Sequence, residues 1–230
     1  MKVAISQPRY LPALNYLQRI LISDVFVILD NVQHQRRAYE QRNKIKSTNS
    51  KGVWCSIPLD KDSSRPKIFS LKIAGSTWIE EHKTLIKAYY RHAEFFDEDL
   101  LNYLYKDLEG SNFIKNIMTM TINICELLNI NYNFIYASEL ELDSSNDQLL
   151  YDITKKVGGN EYISGPNGRD YIVKEKFHNI KLTYHEFHFP EYEQVNGGFI
   201  PWMSIVDQLF NIGLEQTKEY IFNKPILKDK

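Results

Sequence analysis

The chain has 230 residues, 43% of them hydrophobic, and this length is sufficient to bury a sizeable core in one domain. Its 28 Lys and Arg residues balance 29 Asp and Glu residues, so the chain lacks the basic field that nucleic-acid binding uses, and no nucleic-acid partner is expected. The N-terminus has no signal-peptide pattern and no apolar run reaches the ~18 residues of a membrane span, which predicts a cytoplasmic protein.

The first predicted elements are a strand, a helix and a second strand. Residues 2–6 and 25–30 are short apolar runs with strand character, and between them apolar residues recur at helical spacing: Leu14, Leu17, Ile20 and Leu21. A helix that connects two buried strands implies that the strands pair in parallel. Ligands of parallel sheets bind beyond the carboxyl ends of the strands, so the turns at 7–12 and 29–33 are expected near a site.

The remaining pattern predicts a single α/β domain over residues 1–230, with a mostly parallel sheet, flanking helices and a helical insertion. Residues 53–59 and 68–75 are a third and a fourth strand candidate, and from Trp78 to about Ile130 the spacing is helical. Strand character returns at 133–140, a helix at 147–159 ends at paired glycines, and a strand followed by a loop occupies 161–172. A last helix is predicted to begin after Pro201 and to stop at Gly213, before an ordinary polar terminus at 223–230.

Neither the cysteines nor the histidines form a metal-binding pattern. Cys55 and Cys125 lie far apart in apolar contexts, which favours two buried thiols over a disulfide or a metal pair. His185 and His188, in the sequence YHEFHF, would point to opposite faces of a strand. No metal site is therefore expected. His82, on a predicted helix, fits either the core or a functional site.

The loop after the first strand, QPRYLP at residues 7–12, is the first candidate site. Its two prolines withhold backbone N–H groups and favour an extended chain, so the loop is a rigid exit from the strand. Such a loop would present Gln7 and Tyr10 as the wall of a binding site. The alternative is a structural turn, in which Tyr10 and Leu11 only fasten the following helix to the sheet.

Polar groups that can form several hydrogen bonds follow the second strand. Asp30 ends that strand, and the next residues include Gln33, Arg37, Arg42 and Asn43. Planar groups of this kind suit a phosphate, a carboxylate or the hydroxyls of a sugar. Asp30 would orient the guanidinium of either Arg37 or Arg42, while the other arginine binds an anionic ligand. The Lys-rich residues 44–51 are expected to be a solvated face.

Two further segments contain candidate residues for which a structural role is the alternative. Ser164, Gly165 and Asn167 lie at the end of a strand and in the loop after it, whose exposed amides suit an oxyanion or a sugar ring, although a plain turn explains it as well. Ser204 and Asp207 are three residues apart on the first turns of the last helix. They can face one site, or they can instead satisfy the helix N-terminus.

The order of these segments along the chain resembles the WbqC-like protein family. The resemblance spans nearly the whole chain and rests on four family elements, Q-P-x-[YF]-[LF]-P, [DN]-x-[VI]-Q, R-N-[RK]-I and F-x-P-x-[LM]-S-I-[IVL]-D, which match residue by residue. Ser6 stands where the family frequently has His or Met, and Ala13 stands where an aromatic residue is common. The positions that the resemblance supports are Gln7, Pro8, Tyr10, Pro12, Tyr16, Asp30, Gln33, Arg37, Arg42, Asn43, Pro58, Tyr192, Gln194, Phe199, Pro201, Ser204 and Asp207.

The resemblance implies a role in bacterial surface-polysaccharide biosynthesis, because members are associated with O-antigen gene clusters. The leading hypothesis is a transferase that adds an acyl or aminoacyl group to a nucleotide-linked amino sugar. Arg37 and Arg42 would bind the diphosphate or the anion of the donor, and Asp30, His82 or Asp207 would serve in acid–base catalysis. The acyl or aminoacyl donor would be a co-substrate, no tightly bound cofactor is expected, and the composition allows a homodimer.

Two alternatives of different kinds stay open. The strand, polar turn and helix at the N-terminus are also similar to the first unit of nucleotidylyltransferase-like folds, which would indicate nucleotidyl transfer. A non-catalytic glycan-binding or scaffold protein of the biosynthetic complex would use aromatic residues, which are 13% of the chain, to stack on sugars. A catalytic group is expected in a closed pocket with a shifted pKa, whereas a binding groove is expected to be open.

Overall fold

The computed structural model describes residues 1–49, 51–60 and 66–229, and a six-stranded sheet forms its centre. The strands in these residues are β1 (Lys2–Ser6), β2 (Val25–Ile28), β3 (Arg42–Lys46), β4 (Gly52–Ser56), β5 (Phe134–Tyr136), β6 (Glu161–Ser164), β7 (Lys181–Glu186) and β8 (Ile226–Asp229). The central sheet has the order β5-β2-β1-β6-β7-β8, and every neighbouring pair is parallel except β7 with β8. β3 and β4 form a separate antiparallel pair. The predicted mostly parallel sheet is confirmed.

Helices cover both faces of this sheet. They are α1 (Leu14–Leu21), α2 (Trp78–Tyr90), α3 (Glu98–Leu104), α4 (Phe113–Leu128), α5 (Asn146–Lys156) and α6 (Ile205–Phe222). α1 to α4 and α6 share one core with Ala4 and Phe26 of the sheet, and α5 packs Leu150 into a second core with Val3 and Ile5. Successive residues of a strand point to opposite faces, so β1 contributes to both cores. This arrangement confirms the predicted flanking helices.

Residues 68–75 do not form the predicted fourth strand. Ile68–Ser70 is a single 3-10 turn, and the residues around it pair only through isolated bridges, such as that between Leu59 and Ile73. Leu71 and Ile73 are nevertheless buried in the larger core. The strand prediction was wrong because apolar alternation reports the burial of one side of a segment, and a segment can be buried in this way without a partner strand.

The last helix reaches its predicted stop at Gly213, but a second helical segment, which the sequence did not predict, follows directly. Gly213 has φ 78° and ψ 173°, which is not helical and divides α6 by a kink, and the second segment continues to Phe222. Phe95 packs so closely against this kink that a Cβ on Gly213 would lie 2.8 Å from its ring. The glycine therefore ends the first helical segment and allows a close aromatic contact, and only the tertiary structure reveals that a second segment follows at a bend.

Two polar segments form strands that the sequence did not predict. Residues 226–229, in the expected polar terminus, form β8 and pair with β7. Residues 42–46 form β3, in which Ile45 and Lys46 are fully buried, so the expectation of a solvated face over 44–51 was wrong for these residues. Short polar segments contain little periodicity, and only their tertiary partners reveal them as strands.

The order of the strands creates a topological switch point between β1 and β6. From β1 the chain proceeds outward through β2 to β5, and it then returns to the other side of β1 and proceeds through β6 to β7. The connections after β1 and β6 therefore leave in opposite directions. In open parallel sheets this divergence leaves a crevice outside the carboxyl ends of the two strands, where ligands bind.

Candidate functional site

The carboxyl edge of the sheet at this switch point holds several of the predicted residues. Gln7 directly follows β1, whereas Ser164 ends β6 and Gly165 begins the loop that contains Asn167. Asp30 follows β2 at the same edge. Gln7 and Gly165 are half-buried, Asn167 is exposed, and Ser164 is buried with its Oγ donating to Gly165 O over 3.1 Å. The structure thus brings candidates from three separate segments to one edge.

A buried arginine that the sequence patterns did not single out also lies at the switch point. Arg19 of α1 is 7% exposed, and its Nη2 donates to Ser6 Oγ, at the end of β1, over 3.1 Å. Its Nη1 approaches the chain at Gly165 so closely that a Cβ added there would lie 3.2 Å away. The guanidinium therefore reaches both strand ends that flank the switch point. The sequence feature that could have indicated Arg19 was a charged residue on a short amphipathic helix, which in the structure packs on the sheet and on α6.

Arg9 is a second cation that contacts the same tyrosine ring as Arg19. The guanidinium carbon of Arg9 lies 5.7 Å from the ring centre of Tyr16 and 5.6 Å from that of Tyr39. The guanidinium carbon of Arg19 lies 5.8 Å from the same Tyr16 ring. Burial and then the field of Arg9 lower the pKa of Arg19 to about 10, so Arg19 still carries its charge at neutral pH. Two arginines thus adjoin the same edge of the sheet.

Glu40 is a buried carboxylate near Arg9. It is 2% exposed, and neither of its carboxylate oxygens accepts a hydrogen bond from another residue in the part of the chain that the structure describes. Burial raises the pKa of Glu40, and the positive field of Arg9 opposes that rise. Buried polar groups without partners are costly, and perturbed carboxylates are concentrated at functional sites. No motif pointed to Glu40, because the burial of one Glu in a polar segment depends on the tertiary fold.

Tyr10 and His82 lie in an enclosed polar cluster between the loop after β1 and α2. Tyr10 Oη is 2.7 Å from His82 Nδ1 and 2.6 Å from Tyr105 Oη, while His82 Nε2 is 3.1 Å from Ser56 O. Because Nε2 faces a carbonyl, it carries the proton, and Nδ1 accepts the hydrogen bond from Tyr10. Burial lowers the pKa of His82, which favours the neutral ring. Both side chains therefore connect the loop to the core, and their catalytic and binding roles stay predictions.

Asp207 is the centre of a second buried network. It is 0% exposed and accepts hydrogen bonds from Tyr90 Oη at 2.7 Å, Tyr192 Oη at 2.5 Å and Gln194 Nε2 at 2.7 Å. Burial raises the pKa of Asp207, and the hydrogen bonds from Tyr192, Tyr90 and Gln194 oppose the rise. Ser204, directly before α6, is also buried, and its backbone N–H donates to Lys44 O. These residues hold the segment before α6 against that helix.

The predicted residues around β3 have different environments. The side chains of Gln33 and Arg37 are exposed. Arg42 stacks on Trp54, with its guanidinium carbon 3.8 Å from the ring centre. Asn43 is buried, and its Nδ2 donates to the carbonyls of Leu11 at 2.7 Å and Tyr10 at 3.3 Å, so it fixes the loop after β1. The four residues thus do not form one cluster of free hydrogen-bonding groups.

Asp30 caps the turn that follows β5. Its Oδ1 accepts from the backbone N–H of Ser138 at 2.8 Å, and its Oδ2 accepts from Ser138 Oγ at 2.7 Å. The residue is 2% exposed, yet it lines an open depression of about 340 Å³ together with Phe69, Lys115 and Tyr136. Both carboxylate oxygens of Asp30 therefore have partners. Asp30 lies after β2, which is on the other side of β1 from β6.

The described residues contain no group of three or more His, Cys, Asp or Glu side chains that could hold a metal ion. Cys55 and Cys125 are free and buried, as predicted, and burial raises the pKa of each thiol to about 12. In the same part of the chain, no helix is both long enough and apolar enough to cross a bilayer.

Comparisons with known proteins agree with the family resemblance. The sequence model of the WbqC-like protein family matches residues 7–219. Uncharacterized protein Rv1507c of Mycobacterium tuberculosis is 31% identical over 221 residues, which cover 93% of this chain and 95% of that protein. No solved structure matches the chain. The match over most of its length establishes that this chain belongs to the WbqC-like protein family.

Proposed function

We propose that this protein is a transferase of surface-polysaccharide biosynthesis that adds an acyl or aminoacyl group to the amine of a nucleotide-linked amino sugar. Membership of the WbqC-like family suggests involvement in polysaccharide biosynthesis. The observation that carries the proposal is the meeting of Gln7 with Ser164, Gly165 and Asn167 at the switch point. Amide and hydroxyl groups at such a crevice suit the hydroxyls of a sugar and the oxygens of a nucleotide diphosphate.

The proposed reaction forms one amide bond. The amine nitrogen of the sugar attacks the carbonyl carbon of an activated acyl or aminoacyl donor, the bond from that carbon to the donor's leaving group breaks, and the amine loses a proton. A carboxylate at the edge of the sheet would accept this proton. Among the candidates, Glu40 has two carboxylate oxygens without partners from other residues described in the structure, whereas both oxygens of Asp30 are occupied by Ser138. We therefore assign proton transfer to Glu40 before Asp30.

His82 and Asp207 have structural roles in this proposal. Each is buried and fully engaged in hydrogen bonds that connect separate segments of the chain. Arg42, stacked on Trp54, is a half-buried cation that would contact the anionic part of the donor or the nucleotide. The prediction for Arg42→Ala is loss of turnover with little change in stability, and an unaltered rate would remove Arg42 from the site.

Ligand binding is the first test of the proposal. Thermal unfolding would be followed with a nucleotide-linked amino sugar, with acetyl-CoA as an acyl donor, with both together, and with nucleoside triphosphates. A ligand at 100 times its Kd stabilises the folded state by ~2.7 kcal/mol, which is readily measured. We expect stabilisation by the amino-sugar nucleotide that increases with the donor. A response to triphosphates alone would indicate nucleotidyl transfer, and no response to any ligand would favour the scaffold.

Substitution of the two carboxylates then tests the assignment of the proton acceptor. Product would be detected by mass spectrometry as the acylated amino-sugar nucleotide. We expect Glu40→Gln to lower kcat by about 100-fold or more, with sugar-nucleotide binding retained, because general-base catalysis contributes 10²–10⁴-fold. Asp30→Asn is the matched variant at the same edge, with a smaller expected effect. A larger loss in Asp30→Asn than in Glu40→Gln would reverse the assignment.

A further inference from the structure

We propose that the crevice between the carboxyl ends of β1 and β6 is a binding subsite for a phosphoryl group, with Arg19 as its buried cation and Arg9 as a second cation at its rim. The subsite requires only a phosphate-bearing ligand and is independent of the transfer chemistry. In the proposed transferase it would hold the diphosphate of the sugar nucleotide, and only that use of the subsite rests on the proposed function.

Arg19 carries a buried charge that the described residues do not balance. The removal of a cation from water costs several kcal/mol, and buried charges are normally paired. Arg19 is 7% exposed, and among the described residues its one hydrogen bond is to the neutral Ser6 Oγ. No carboxylate in those residues lies within ion-pair distance of it. An anion from outside the chain would balance this charge.

The neighbours of Arg19 on the sheet supply no negative charge. His185 on β7 donates from Nε2 to Gln18 Oε1 over 2.7 Å, and Gln18 in turn donates to the carbonyls of Ile221 and Asn223. Burial and the field of Arg19 lower the pKa of His185 to about 4, so this ring is neutral at neutral pH. His185 and Gln18 are therefore neutral and hydrogen-bonded to each other, so neither balances the charge of Arg19.

The guanidinium of Arg19 is directed at the ends of β1 and β6. Nη2 contacts Ser6 at the end of β1, and Nη1 lies next to the backbone of Gly165 at the end of β6. A guanidinium has five N–H donors in a planar fork, which matches the spacing of phosphate oxygens. Because Gly165 has no side chain, the chain approaches the guanidinium closely at this point. The donors are thus placed where the two strand ends diverge.

Arg9 and Arg19 both contact the Tyr16 ring. Their guanidinium carbons lie 5.7 Å and 5.8 Å from its centre, and the positive field of Arg9 reaches Arg19 and lowers its pKa. A ligand with two negative charges would be attracted by both cations. Arg9 is only half-buried, so it is accessible to a ligand. A phosphoryl group fits this pair better than a single carboxylate does.

Titration with inorganic pyrophosphate tests the subsite in the intact protein. Binding would be measured by calorimetry at low ionic strength for the wild type, Arg9→Gln, Arg19→Gln, Arg19→Lys and Arg36→Gln, with phosphate and acetate as further ligands. Arg36 is an exposed arginine and serves as the control. We expect pyrophosphate to bind the wild type and Arg36→Gln equally, and Arg9→Gln and Arg19→Gln at least about tenfold more weakly, with Arg19→Lys intermediate. Acetate should bind more weakly than either phosphate species.

The set of variants keeps the test decisive even if Arg19→Gln does not fold, because Arg9 is half-buried and its substitution is expected to leave the fold intact. The proposal would be overturned if Arg9→Gln bound pyrophosphate as tightly as the wild type. It would also be overturned if Arg36→Gln lost as much pyrophosphate affinity as Arg9→Gln, or if the wild type bound acetate more tightly than the phosphate species. Pyrophosphate binding that depends on Arg9 and Arg19, in a protein that forms no acylated sugar, would support the subsite and reject the transferase. If the protein acylates the sugar but its pyrophosphate binding does not depend on either arginine, the transferase would be supported and the subsite rejected.

Discussion

At the scale of single residues, ionisable groups are buried in two different ways. Asp207 accepts three side-chain hydrogen bonds, and its burial is therefore balanced by partners from α2 and the segment before α6. Arg19 and Glu40 lack a partner of opposite charge within ion-pair distance in the described chain. Balanced burial stabilises a fold, whereas unbalanced burial is typical of sites that bind or react. This contrast separates Asp207 from the residues at the switch point.

The hydrogen bonds to Asp207 predict a large structural effect of its removal. Asp207→Ala would leave the hydroxyls of Tyr90 and Tyr192 without their acceptor in the interior, which we expect to lower the free energy of unfolding by ~2–4 kcal/mol. Urea denaturation would measure it. Glu215→Ala is the control, because the exposed pair of Glu215 with Lys218 should contribute less than ~1 kcal/mol. Loss of turnover without loss of stability in Asp207→Ala would instead support the catalytic role first predicted for it.

The environment of His185 predicts a loss of stability in acid. Its pKa in the folded protein is about 4, below the ordinary 6.5, because of burial and the field of Arg19. Between these values the unfolded chain binds a proton that the folded chain rejects, so stability is present above about pH 6.5 and decreases as the pH falls towards 4.

The variant His185→Gln removes this titration and keeps a donor for Gln18. Urea unfolding at about pH 7, 6 and 5 should show a decrease in the wild type of at most ~1.4 kcal/mol per pH unit from this group. The decrease should be smaller in the variant. Parallel curves for the two proteins would show that His185 does not titrate in this range.

At the scale of elements, the sequence identified those with strong local periodicity. β1, α1 and β2 follow directly from two apolar runs around one amphipathic helix, and Asn112 caps α4, with its Oδ1 accepting a hydrogen bond from the backbone N–H of Lys115. β3 and β8 have no such pattern, because each depends on a partner strand. The predicted helix end at Gly213 is confirmed, because the backbone leaves the helical conformation there, whereas the helical segment that follows it was not predicted.

The bend in α6 leads to a prediction with a matched control. Gly213 and Gly75 have similar φ angles of 78° and 73°, but a Cβ on Gly213 would lie 2.8 Å from Phe95, whereas one on Gly75 would have nothing within 4 Å. Gly75→Ala should therefore show only the backbone cost of ~1–2 kcal/mol. Gly213→Ala should lose more, because overpacking adds ~1–3 kcal/mol and because φ 78° with ψ 173° is a conformation essentially confined to glycine. Thermal unfolding would compare them. Equal losses would show that Phe95 moves without cost.

At the scale of the whole molecule, the candidate site is a product of strand order. Gln7 and Gly165 are more than 150 residues apart in the chain, and they lie at one edge because β6 pairs with β1. The order β5-β2-β1-β6-β7-β8 also separates the switch point from Asp30, which lies after the next strand. The Asp207 network lies at the start of α6, which contacts the loop after β1 through the hydrogen bond from Ile205 N–H to Pro12 O.

The sequence by itself determined the mostly parallel α/β class, the family and several loops at the edge of the sheet, because apolar periodicity and short motifs are local properties. Only the tertiary structure decided which polar residues are enclosed and which of them meet. Arg9, Arg19 and Gly165 become neighbours through the pairing of β1 with β6 and the packing of α1 on the sheet. The burial of Glu40 is likewise a property of the folded chain. Long-range pairing and burial leave no periodic trace in a single chain, so the charges at the switch point could be recognised only once the chain was folded.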